Sequence, residues 1–258
     1  MQLLNHNFHQ LKQPANSQTI VFIHGLFGDM NNLGVIARAF SENYNILRID
    51  LRNHGHSFHA PDMTYDVMAK DVIVLLEYLQ ITHCILVGHS MGGKTAMKVA
   101  DLRPDLIDKL ICIDIGPIVY GQGWHENVFA GLNAVKQAEA QSRQQAKPIL
   151  EQHIEDQSII QFMLKSFDAS ATEKFRFNLT ALYQNYSYIM GWNPVYFDKP
   201  TLFIKGGNSN YLLPEYTQQI LQQFPHATSF TIAGCGHWIH AEKPHLVIST
   251  IERFLALN

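Results

Sequence analysis

Short apolar runs alternate along this chain with longer stretches whose apolar residues recur at helical spacing. Thr19–Ile23, Tyr44–Ile49, His83–Val87 and Lys109–Ile113 are rich in β-branched residues and bounded by glycine, charge or turn residues, the pattern of strands buried on both faces. Between the second and third runs, Met68, Val72, Leu75, Leu76 and Leu79 form a stripe of helical period, which predicts a helix over Asp66–Gln80. A further helical run covers Met91–Leu102. The alternation resumes with a strand at Pro200–Lys205, a helix at Pro214–Gln223, a strand at Ala227–Ile232 and a helix at Pro244–Leu257. This order predicts an α/β fold with a doubly wound, mostly parallel sheet.

The interval from Pro117 to Pro194 breaks the pattern. It is rich in glutamine and aromatic residues and reads as helices over Trp124–Gln137, Ser142–Glu155, Ile159–Leu164 and Thr172–Tyr186. The expected organisation is a core made of residues 1–117 and 195–258, with residues 118–194 inserted as a helical lid. Most of the aromatics there are expected to pack the lid onto the sheet, and together they imply an apolar ceiling. No internal repeat or low-complexity linker interrupts the chain.

With 258 residues, one large domain carrying an insertion is more economical than two independent domains. The formal net charge of −3 leaves no basic footprint for nucleic acid and no polybasic patch for a membrane, so the expected partner is a small molecule. Cys84, Cys112 and Cys235 sit in apolar surroundings and read as reduced core residues. The start of the chain lacks the basic and apolar regions of a signal peptide, and no run of about 18 apolar residues occurs. A soluble, unprocessed, cytoplasmic protein is the expectation.

Chemistry enters at residues 84–95, where a short apolar strand runs into Gly88-His-Ser-Met-Gly92 and then into a helix. Gly-x-Ser-x-Gly between a strand and a helix is the nucleophile elbow: the sharp turn lifts the hydroxyl of Ser90 above the sheet edge, and the glycines leave room around it. Serine attacks only when a base takes its proton. His237, in Ala-Gly-Cys-Gly-His-Trp between a strand and a helix, is the leading candidate of the 14 histidines; His240 is read as a surface neighbour. The oxyanion of an acyl-transfer intermediate needs backbone N–H donors. Met91 supplies one by position, and Leu26, in His24-Gly-Leu-Phe-Gly28, is expected to supply the other, with Phe27 second.

His24-Gly-Leu-Phe-Gly28, Asp50-Leu-Arg-Asn-His-Gly-His-Ser57, Gly88-His-Ser-Met-Gly-Gly93 and Gly236-His-Trp-Ile-His-Ala-Glu-Lys-Pro244 together resemble the α/β-hydrolases, and within them the YbfF-type esterases. The acid is where the chain departs from the commonest pattern. After the strand Thr201–Lys205, most relatives place an aspartate where this chain has Ser209. The alternative is Asp114, at the end of the preceding strand and ahead of Gly116-Pro117, and the resemblance implies the same choice, with Ser209 as an accessory hydrogen-bonding group. A strand-end aspartate that merely caps local amides, or Asp198 as the acid, are the rivals.

His54-Gly-His-Ser-Phe-His59 imitates a metal-binding motif, but Phe58 occupies its aspartate position and no further ligand set is evident, so neither metal nor other cofactor is expected. Arg52 either anchors its own loop or holds an anionic substrate group. Phe27, Arg52, Trp124 and Trp238 are the candidate pocket residues. The expected function is hydrolysis of carboxylic esters or thioesters, acyl-CoA among them, through an acyl-enzyme on Ser90, His237 and Asp114. C–C bond hydrolysis, perhydrolysis and a ligand-binding receptor that retains the site are the alternatives. Dehalogenase and epoxide-hydrolase chemistry would need an aspartate at position 90.

Overall fold

Residues 2–11 and 18–256 are described in a computed structural model. Among the described residues seven strands form one sheet: β1 (His6–His9), β2 (Thr19–Ile23), β3 (Asn45–Ile49), β4 (Cys84–His89), β5 (Ile107–Ile113), β6 (Thr201–Gly206) and β7 (Ala227–Ile232). Their order is β1-β3-β2-β4-β5-β6-β7, with β1 antiparallel to β3 and every other neighbouring pair parallel. The doubly wound sheet expected from the sequence is present.

This order reverses direction once. From β2 the chain steps to β3 on one side, then returns to place β4 on the other side of β2 and continues outward through β5, β6 and β7. Loops leaving the carboxyl ends of β2 and β4 therefore part over a crevice, the place where open α/β sheets take ligands. The 24–28 loop and Ser90 both leave the sheet there.

The helices are α1 (Gly34–Ala39), α2 (Tyr65–Tyr78), α3 (Met91–Leu102), α4 (Glu126–Gln137), α5 (Arg143–Glu151), α6 (Gln157–Lys165), α7 (Leu179–Gln184), α8 (Tyr186–Met190), α9 (Thr217–Gln223), α10 (Ile239–Glu242) and α11 (Pro244–Leu255). Period-two burial along the strands explains the layers. In β2, Ile20 and Phe22 point to one face and join residues of α1 and α11, whereas Val21 and Ile23 point to the other and join residues of α2, α3 and α4. Five helices, α4 to α8, and no strand lie between β5 and β6. Their buried residues, such as Phe129, Leu132, Ile160 and Leu182, merge with the second of these cores. Side chains of Ser142, Asp156 and Asn178 accept amide hydrogen bonds at the starts of α5, α6 and α7, which fixes where those helices begin.

One expected element is corrected. The helix predicted over Thr172–Tyr186 is instead two short helices, α7 and α8, preceded by extended chain in which Phe167 bridges Phe175 and His54 bridges Phe177. Phe175 and Phe177 are both buried with rings stacked 5.0 Å apart. A pair two residues apart buried together demands extended backbone, because a helix would turn the two in different directions. Edge strand β1 and the short helices α1 and α10 were not anticipated. Leu257, the expected end of the last helix, lies outside the described residues.

Candidate functional site

The link between β4 and α3 forces Ser90 to φ 53° and ψ −123°, a strained geometry for a side-chain-bearing residue. Its amide donates to Ile113 O (3.1 Å) and its carbonyl accepts from Gly93 N (2.8 Å). Glycine is obligatory on either side: a Cβ at Gly92 would lie 2.3 Å from Ile23 O, and one at Gly88 would lie 2.3 Å from Gly92 O. The elbow is thus wedged against the end of β2.

Asp114 follows β5, itself at a positive φ of 49°, and its side chain is fully buried. Its Oδ1 accepts from Gly206 N (2.9 Å), and its Oδ2 accepts from Ser209 Oγ and faces His237 Nδ1 at 2.7 Å. A carboxylate cannot donate, so Nδ1 carries the proton, and Nε2 is left with its lone pair. Ser209 is therefore an accessory partner of Asp114, in the place expected for it. Asp198, the rival acid, is exposed and pairs with His226 at 3.0 Å. The His237 ring is sandwiched by Tyr211, stacked at 3.8 Å with 17° between planes, and its carbonyl oxygen is tied to His89 Nε2 (3.0 Å). Ser90 Oγ makes no hydrogen bond among the described residues. Ser90 and His237 both line a cavity of about 450 Å³.

The 24–28 loop borders that cavity. A Cβ at Gly25 would lie 3.2 Å from Ser90 Cβ, so the loop rests directly on the elbow. Phe27, at φ 63°, spends its N–H on His54 Nε2 (3.2 Å) and its carbonyl on Ser166 Oγ (3.1 Å). The amides of Leu26 and Met91 have no partner among the described residues, which selects Leu26 over Phe27 as the free donor in this loop. Two buried histidines brace it. His24 accepts Leu51 N on Nε2 (3.0 Å) and meets Gly25 O through Nδ1 (2.8 Å), while His54 Nδ1 meets Arg52 O (3.0 Å). With both ring nitrogens engaged, His54 has none left for a metal.

Leu26, Phe27, Trp124, Val128, Ile159 and Phe162 make the apolar part of the cavity wall, and Trp238, 5.4 Å from the Phe162 ring, continues it. Phe27, Trp124 and Trp238 thus lie where the sequence placed them. Arg52 is a correction as a pocket candidate only: it does not line the cavity but forms a two-point pair with Asp71 (Nη2 to Oδ1, 2.8 Å) and reaches Asp62 O, the loop-anchoring alternative that the sequence offered. His240 is a second correction, because it is buried and lines the cavity rather than lying on the surface. Tyr211, His125 and the bracing role of His54 were missed. Tyr211 stands two residues beyond Ser209 on a loop whose importance the sequence did flag, but a ring stack leaves no sequence signal.

Burial keeps several of these histidines neutral. Desolvation lowers His54 to about 3, His240 to about 3 and His125 to about 4, neighbouring positive groups adding to the effect. Unfolding restores their ordinary value near 6.5, so below that pH the unfolded chain binds protons that the fold refuses. Stability is full above pH 6.5 and is lost as pH falls toward 4. Each such histidine contributes a slope of up to about 1.4 kcal/mol per pH unit. Urea unfolding at pH 7, 6 and 5 should show a steep fall in unfolding free energy, and equal values at pH 7 and 5 would contradict it.

Comparison with known proteins agrees with this architecture. The chain matches the alpha/beta hydrolase fold family over residues 18–244. It is 60% identical over 256 residues to a Haemophilus influenzae protein provisionally named an esterase/lipase, covering 99% of this chain and 89% of the relative. It is 45% identical over 253 residues to esterase YbfF of Escherichia coli, covering 98% of each. A solved marine microorganism esterase superposes with a TM-score of 0.90 at 30% identity, covering 98% of this chain and 100% of the other. The chain belongs to the α/β-hydrolase fold family.

Proposed function

We propose that this α/β-hydrolase is a serine esterase that cleaves carboxylic esters through an acyl-enzyme formed on Ser90. The observation that carries the reading is the meeting, in one cavity, of a strained serine, a histidine whose Nδ1 proton is held by a buried carboxylate, and the free N–H of Leu26, with the free N–H of Met91 on the residue that follows the serine. In the proposed cycle, Nε2 of His237 takes the Ser90 proton as Oγ attacks the ester carbonyl. Asp114 balances the imidazolium that results, and the Leu26 and Met91 amides receive the charge on oxygen. His237 then protonates the departing alcohol, and a water activated by the same histidine frees the acid. No step requires a cofactor.

Residues 118–194 act, in this reading, as the lid over a core of 1–117 and 195–258, since α4 and α6 supply part of the wall of the cavity that Ser90 lines. An uncharged ester is favoured over acyl-CoA. Carboxylates of Asp156 and Glu242 border the cavity, and among its described lining residues there is no lysine or arginine to meet a polyphosphate. Three buried, unbridged cysteines are in keeping with a reducing, cytoplasmic setting. Among the described residues no helix is long and apolar enough to cross a membrane.

The test is a series of p-nitrophenyl esters of increasing acyl length, with Ser90→Ala as control. If the apolar wall takes the acyl chain, kcat/KM should rise by up to about fourfold per methylene, the equivalent of ~0.8 kcal/mol, until the cavity is full. A profile flat with length would show that the wall does not hold the acyl group.

A further inference from the structure

His240 lies in α10, three residues beyond His237, and takes no part in the chemistry proposed above. Only 6% of it is exposed, yet it lines the cavity that holds Ser90. Its Nδ1 is enclosed by protein with no hydrogen-bond partner. Its Nε2 makes no hydrogen bond with any described residue either, which leaves it as the ring nitrogen that the cavity reaches. The ring is held in place by His89, 4.2 Å away between centroids, and His89 is itself fastened to the His237 carbonyl.

Buried polar side chains nearly always find a partner, and an orphaned one costs about 1–3 kcal/mol. A neutral imidazole has one N–H and one lone pair. An enclosed N–H without an acceptor is the rarer and costlier arrangement, whereas an enclosed lone pair is tolerated more easily. The proton therefore belongs on Nε2, where it points a donor into the cavity. Asp156 and Glu242 border the same space and outnumber Lys165, the one lysine whose charge acts on the ring, so a neutral oxygen is favoured over an anion as the partner of that donor.

We infer that His240 is a specificity-determining residue that donates a hydrogen bond from Nε2 to a second, uncharged oxygen of the substrate, so that the preferred substrates are neutral esters bearing a hydroxyl or ether oxygen near the ester group. The inference rests on the esterase reading, and its test separates the two. Matched pairs differing only by CH₂ against oxygen are used on each side of the ester: p-nitrophenyl butyrate with p-nitrophenyl methoxyacetate, and propyl butyrate with 2-hydroxyethyl butyrate. Within one variant, the ratio of kcat/KM for the oxygenated and plain members cancels effects on folding and on the triad. In at least one pair that ratio should fall about tenfold in His240→Leu, the size of one hydrogen bond. His240→Gln, which keeps an N–H donor, should restore most of it. In Ser90→Ala protein, the His240 imidazole ¹⁵N resonance should shift with 2-hydroxyethyl butyrate or methyl methoxyacetate and not with the plain ester of the same shape. Ser90-dependent turnover of both members with ratios indifferent to His240, or equal resonance shifts, would overturn the inference and leave the esterase reading standing. Absence of Ser90-dependent turnover would overturn both.

Discussion

Ser90→Ala should reduce ester hydrolysis by about six orders of magnitude, the scale on which removing the nucleophile disables a catalytic triad. The fold should be untouched. Ser90 Oγ makes no hydrogen bond within the described structure, so its loss orphans nothing. Alanine meets the same strain at φ 53° as serine does. The backbone bonds to Ile113 O and from Gly93 N that define the elbow are also kept. Thermal unfolding of the variant should match the parent, and its residual rate should reflect only binding and the oxyanion donors. Turnover within tenfold of the parent would remove Ser90 from the chemistry.

Asp114→Asn should lower kcat by about four orders of magnitude, as the matching change does in the serine-protease triad. The reason lies in the partners of this carboxyl. Gly206 N–H donates to Oδ1, so an asparagine would keep its carbonyl oxygen there and turn its NH₂ toward Ser209 and His237. A donor facing Nδ1 drives the imidazole proton to Nε2, and a histidine protonated at Nε2 cannot accept a proton from Ser90. Ser209→Ala removes one supporting hydrogen bond and should cost about tenfold or less. Asp198→Asn should leave kcat unchanged, because Asp198 is exposed and engaged with His226. Near-normal kcat in Asp114→Asn together with loss in Asp198→Asn would reverse the assignment of the acid.

What was readable from sequence is what is written in contiguous residues. The buried strands announce themselves because both faces need apolar side chains, and the elbow does so because only glycine fits where a Cβ at position 88 or 92 would lie 2.3 Å from a backbone oxygen. Edge strand β1 has four residues, His-Asn-Phe-His, half of them exposed, and carries almost no hydrophobic signal. The segment 172–178 was misread because a row of aromatics at period two competes with helix-forming neighbours, and tertiary packing decided between them. Ser90 and Asp114 directly follow β4 and β5, and His237 stands on the loop after β7, where residues converge by topology. The pocket placing of Arg52 and the surface placing of His240 failed for a common reason: the partner of one is Asp71 in α2, and the ring packed against the other is His89 in β4, neither of which local sequence relates to them. The Tyr211 stack belongs to the same class.

The central claim is that Ser90 alone is the activated nucleophile, and covalent modification with a fluorophosphonate tests it most directly. The purified protein should take up one equivalent, lose ester turnover in proportion, and yield after digestion a single modified peptide with the label on Ser90. Ser90→Ala should take up none. Label on a different residue, or ester turnover that survives full modification of Ser90, would contradict the account.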